Sequence, residues 1–191
     1  MKIHLFGAAT PSGEALHHLA HVDHVGYSRQ PSVSADWIYH ADLNNPAGFK
    51  PAGCPYAPVI WISFAPIWLL APFLEKLAKH HPHRLHSLHG VIACSSSSVV
   101  TKRFAVNRVD RDLVERLMKA EDKLLATCRR LAIPCRIIRP TLIYGKFGVY
   151  GDRNLSRILQ QLRRLPMLPL PAESGLRQPI HVTQLAAVAL R

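Results

Sequence analysis

Apolar residues fall along the chain in short runs of strand length, separated by stretches with helical spacing. Lys2–Phe6 reads as a first strand, and Gly13–Ala20 as a helix with Ala15, Leu16 and Leu19 on one face. His24–Ser28 predicts a second strand, and Ile38–Leu43 the end of a third. Val59–Phe64 predicts a buried strand and Leu69–Lys79 a helix. Gly90–Ser95 predicts the next strand, Asp110–Leu131 a long amphipathic helix and Cys135–Arg139 another strand. In Asn154–Leu165 the apolar residues Leu155, Ile158, Leu159 and Leu162 recur at helical spacing. A proline-bearing connection, Pro166–Pro171 with Ala172–Gly175, leads to a last helical pattern near Thr183. Strands that alternate with helices build a parallel sheet covered on both faces. The predicted fold class is therefore α/β, a doubly wound parallel sheet, and 191 residues suit one domain.

The stretch Pro51–Leu74 carries no charge, and Val59–Leu70 is strongly apolar. A membrane-spanning helix needs about 20 continuous apolar residues. Pro58, Pro66 and Pro72 interrupt this run, so a buried strand, a loop and a helix fit it better, and no membrane partner is expected. The N-terminus runs straight into the first strand pattern without signal-peptide architecture. The four cysteines, Cys54, Cys94, Cys128 and Cys135, form no Cys-x-x-Cys pair. Reduced thiols and a cytoplasmic setting follow. The net charge of +12 brings nucleic acid into consideration. The basic residues are scattered in pairs such as Arg129-Arg130 and Arg163-Arg164, with no aromatic platform among them. A solvated basic surface that attracts phosphorylated ligands is the simpler reading.

Gly7-Ala8-Ala9-Thr10-Pro11-Ser12-Gly13 lies between the first strand and the first helix. A tight turn there aims backbone N–H groups and the positive helix end at a phosphate. Gly7 permits the turn and Gly13 close helix–sheet packing, while Thr10 stands where a middle glycine is expected and crowds a pyrophosphate. An ordinary strand–helix loop is the alternative. With this turn the sheet becomes a Rossmann-type dinucleotide fold. The second strand ends at Tyr27-Ser28-Arg29. An acid at that place holds ribose hydroxyls, and a base accommodates the 2′-phosphate of NADP. Ser28-Arg29 therefore favours NADP over NAD, unless Arg29 is simply a surface arginine.

Further landmarks follow in order. They are Asp42-Leu43, Ser63-Phe64-Ala65, the run Val91–Ser98 with its four serines, Arg139-Pro140-Thr141-Leu142-Ile143-Tyr144-Gly145, and Arg177–Val182. With the Gly7–Gly13 turn, this set resembles the short-chain dehydrogenase/reductase superfamily, in its extended and atypical branch of NAD-dependent epimerases and dehydratases. The resemblance implies cofactor contacts from Gly7, Thr10, Pro11, Ser12, Gly13, Ser28, Arg29, Asp42, Leu43, Ser63, Phe64, Ala65 and Pro140. It implies an oxidoreductase acting on a nucleotide-linked sugar or similar hydroxyl substrate. It makes 146–191 the start of a reduced or truncated substrate-binding lobe, and a homodimer through the 110–131 helix is consistent with it.

That family's chemistry uses a tyrosine and a lysine four residues later. Setting Ala120-Glu121 against the family's Ala-Glu pair puts Leu113 and Leu117 at those positions. Ser97 and Tyr144 remain as candidate catalytic residues. The serines serve equally as caps of a strand end or helix start. The missing pair keeps open a non-catalytic NAD(P)H-binding sensor or assembly protein.

His80, His81, His83, His86 and His89 have no cysteine or carboxylate among them and suit a helix C-terminus, so no metal is expected. Glu115 and Glu121 are either general bases or, as amphipathic helices commonly show, exposed charges.

Overall fold

The computed structural model describes residues 1–30, 36–53, 57–152, 155–165, 167 and 178–191. Cys54, Tyr56, Asn154, Arg177 and most of the predicted 166–175 connection lie outside the described residues.

The main sheet is built from β1 (Lys2–Phe6), β2 (His24–Ser28), β3 (Ile38–His40), β4 (Val59–Ser63), β5 (Leu88–Cys94) and β6 (Cys135–Ile138). All its pairings are parallel, in the order β3-β2-β1-β4-β5-β6. The order reverses between β1 and β4. There the connecting helices leave in opposite directions and open a crevice above the carboxyl ends of the strands.

Strand alternation assigns the residues of β1 to two cores. Phe6 faces the layer of α2 (Ile67–His80) and α4 (Arg108–Arg130), among Trp61, Phe73, Leu74, Leu117 and Leu124. Leu5 faces the layer of α1 (Pro11–Leu19) and α6 (Val182–Ala189), among Ile62, Leu16, Ala186 and Ala189. The uncharged 51–74 run resolves into β4 and the first half of α2, with Pro66 capping the helix and Pro72 inside it. Among the described residues no helix is long and apolar enough to cross a membrane.

Caps place the helix starts earlier than hydrophobic spacing does. Thr10 caps α1 with Pro11 in its first turn, so the helix begins before Gly13. Asn107 caps α4 by accepting from Asp110 N at 2.8 Å, which starts that helix at Arg108. Small elements near the crevice escape the periodicity altogether. They are α3 (Ser98–Thr101), the parallel pair β7 (Ile143–Tyr144) and β10 (Ile180–His181), and the hairpin β8 (Lys146–Phe147) and β9 (Tyr150–Gly151). The amphipathic helix α5 (Leu155–Arg164) has no buried residue.

Leu124 is fully buried, so Leu124→Ala leaves a cavity and costs about 2–5 kcal/mol. Val106 is 90% exposed, and Val106→Ser changes stability by less than about 0.5 kcal/mol. Urea unfolding of both variants measures the contrast, and equal effects would contradict this burial pattern.

Candidate functional site

The turn after β1 is shaped by two close approaches. Gly7 has φ +75°, and a Cβ there would lie 2.6 Å from Ala65 N. A Cβ on Gly13 would lie 2.5 Å from the carbonyl oxygens of both Gly7 and Ala8. No other residue fits either place without moving the backbone. Thr10 then closes the turn from within. Its Oγ1 donates to Gly7 O at 2.7 Å and accepts from Gly13 N at 3.1 Å. The Thr10 hydroxyl is therefore held by the turn itself, which sequence reasoning did not anticipate.

A cleft of about 730 Å3 opens over this turn at the carboxyl edge of the sheet. The turn contributes Gly7, Thr10, Pro11 and Ser12 to its wall, and the end of β2 contributes Ser28 and Arg29. Leu43, Phe64 and Ala65 also line it. Four predicted cofactor residues do not line it. Gly13 packs beneath the turn. Asp42 Oδ1 accepts from Asn44 N at 2.9 Å and folds its own loop. Ser63 is buried at the end of β4, its hydroxyl without a partner among the described residues. Pro140 O accepts from Ser97 N at 2.9 Å.

Neither candidate catalytic residue lines the cleft. Ser97 caps α3. The Tyr144 ring packs edge-on to His181 at 5.2 Å, while its neighbour Ile143 reaches the cleft. Cys94, Val149, Tyr150, Gly151, Asp152 and Val182 line the cleft without having been foreseen. The position of Cys94 at the end of β5 was the one available signal for it. Burial pushes its thiol pKa up to about 12, so it stays a thiol. Burial likewise pushes the Tyr27 phenol up to about 12, and its hydroxyl accepts from Ala52 N at 2.8 Å.

On α4, Leu117 is buried and Leu113 packs against the same core. Glu115 is exposed and pairs with Lys119 at 2.5 Å. Glu121 corrects the expectation of an exposed charge, for it is only 3% exposed. It accepts from Ser95 Oγ at 2.5 Å and from Arg139 Nε and Nη2 at 3.0 and 2.5 Å. Burial alone would raise its pKa, but the hydrogen bonds from Arg139 and Ser95 outweigh that and lower it. The triad clasps the ends of β5 and β6 to α4. Among the described residues no group of His, Cys, Asp and Glu side chains could hold a metal ion.

No family profile matches the sequence, and no curated protein matches it either. Solved structures do. UDP-N-acetylglucosamine 4-epimerase from Bacillus cereus superposes with a TM-score of 0.68 at 14% identity, covering 100% of this chain and 70% of the other. UDP-glucuronic acid 4-epimerase from the same organism, solved with UDP-glucuronic acid and NAD, gives 0.66 at 17% identity over 100% and 72%. The yeast methylglyoxal/isovaleraldehyde reductase complexed with NADPH gives 0.70 at 14% over 100% and 73%.

The low folded-state pKa of Glu121 means that its stabilisation is present above the ordinary carboxylate value of 4.5 and lost as pH falls through the lowered one. Glu121→Gln is expected to cost about 1–3 kcal/mol at neutral pH. The gap to wild type should close in acid. Urea midpoints across that range test this, and a gap independent of pH would refute it. The layered sheet, its strand order and its turn give this chain the fold of the NAD-dependent epimerases and the related reductases.

Proposed function

We propose that the chain is an NADP(H)-dependent oxidoreductase of the epimerase/dehydratase kind, acting on a nucleotide-linked sugar or a similar hydroxyl substrate. The observation that carries this reading is the cleft. It sits where the strand order reverses, over a turn whose two glycines tolerate no Cβ, and it has Arg29 at its β2 end. Its volume lies within the range of about 300–1,000 Å3 typical of ligand sites.

In this reading the first turn of α1 holds the diphosphate through backbone N–H groups and the helix dipole. Arg29 holds the 2′-phosphate, and Ser28 shapes the ribose site by bracing Gln30 through its own hydroxyl. Phe64, Ala65 and Val182 supply apolar wall to the cleft, the first two directly beside Gly7. When bound, the nicotinamide supplies the hydride chemistry. The reading gives no proton step to Ser97 or Tyr144.

A non-catalytic NADP(H) binder is the second reading, and one observation favours it. The two places where the family resemblance puts the proton relay hold Leu113 and Leu117, both packed into the core. A cytoplasmic setting, a homodimer through α4 and a reduced substrate lobe beginning at residue 146 belong to the same proposal. The three described cysteines, all free, support the first of these.

NADPH is expected to bind more tightly than NADH. Arg29→Ala should cost about 1.5–3 kcal/mol of NADPH affinity and leave NADH unchanged. Fluorescence titration reads both, and equal wild-type affinities would remove the preference for NADP. Turnover separates the two readings. A missing acid–base group commonly costs 10²- to 10⁴-fold in rate, so hydride transfer with nucleotide-linked sugars is expected to be slow at about that level. No transfer at all, with binding intact, selects the binder. Brisk transfer abolished by Tyr144→Phe would give Tyr144 the proton after all.

A further inference from the structure

The hairpin β8–β9 is the least expected wall of the cleft. Gly148 turns it at φ +55°. Its outer side is seated on α1, where the Phe147 ring lies 5.3 Å from that of His18. A Cβ on Gly148 would come within 3.2 Å of Glu14 Cγ. Its base is tied by Asp152, whose Oδ2 accepts from Gly145 N and whose Oδ1 accepts from Ser156 N, each at 3.1 Å. Held at both ends, the hairpin presents Val149, Tyr150 and Gly151 to the cleft that the Gly7–Ser12 turn also lines.

The turn is short of donors for an anion. Pro11 has no N–H, and the Gly13 N–H is taken by Thr10 Oγ1. Tyr150 is half-buried, and no hydrogen bond joins its hydroxyl to another described residue. Burial, with the Glu14 carboxylate nearby, raises the phenol above its ordinary pKa, so at neutral pH it is an O–H donor. Resting on the dinucleotide reading, we propose that Tyr150 is a ligand of the cofactor's diphosphate, closing over it from the hairpin side while the first turn of α1 holds it from the other.

A neutral donor suits this place. A cation there would pair with Glu14 or Asp152, whereas a phenol hydrogen-bonds a phosphate oxygen and stacks its ring along the ribose.

Three probes are titrated into wild type and Tyr150→Phe. NADPH and NADH carry the diphosphate; 2′-AMP lacks it. Loss of a hydrogen bond to a charged group predicts dinucleotide binding weaker by about tenfold in the variant. Binding of 2′-AMP should not change. Unchanged dinucleotide affinity in the variant overturns the role of Tyr150 and leaves the dinucleotide reading standing. An equal loss for 2′-AMP also overturns it, because the effect would then lie at the adenosine end or in the fold. A wild type that binds neither dinucleotide overturns both.

Discussion

How closely α1 can approach the end of β1 governs everything built above the sheet. The helix starts almost on top of the carbonyls of Gly7 and Ala8, with room for a hydrogen but not a methyl at Gly13. That contact brings the positive helix end to the crevice where the strand order reverses. A helix displaced by even a Cβ would point its first turn elsewhere and widen the cleft. Thr10 strengthens the arrangement by spending its hydroxyl on the turn, capping the helix at the cost of one N–H that could otherwise face a ligand. The hairpin donor at Tyr150 lies where that loss is felt.

The other side of the crevice is organised by a charge. Burying a carboxylate is costly unless its oxygens are satisfied, and Glu121 satisfies its oxygens with one serine and a two-pronged arginine. Because Ser95 and Arg139 come from the ends of adjacent strands, the clasp sets how α4 lies across them. The same helix presents Leu113 and Leu117 to the core. A tyrosine and a lysine in their place would have to reach the cleft past well-packed side chains. Under the proposed dinucleotide reading, the turn that would hold the cofactor is kept, while the two positions that the family resemblance assigns to the proton relay carry hydrocarbon.

The central strands were readable because a parallel sheet covered on both faces demands nearly continuous apolar runs, and β4 and the second half of β5 are such runs. The glycine turn was readable because its position between strand and helix carries physical meaning. Helix starts were misjudged by about one turn at most, where a capping side chain at Thr10 or Asn107 outweighs apolar spacing.

What the sequence by itself determined was the doubly wound sheet, the glycine-bearing turn between β1 and α1 and the basic residue at the end of β2. Each follows from local chemistry, namely side-chain alternation, a missing Cβ and a charge at a known strand end. Tertiary structure alone decided that Glu121 is buried, since helical spacing cannot reveal an arginine arriving from a neighbouring strand. It alone decided that Tyr150 rather than Tyr144 faces the cleft. That outcome depends on a two-residue hairpin leaning on α1, through contacts between residues 14–18 and 147–148 that no local pattern encodes.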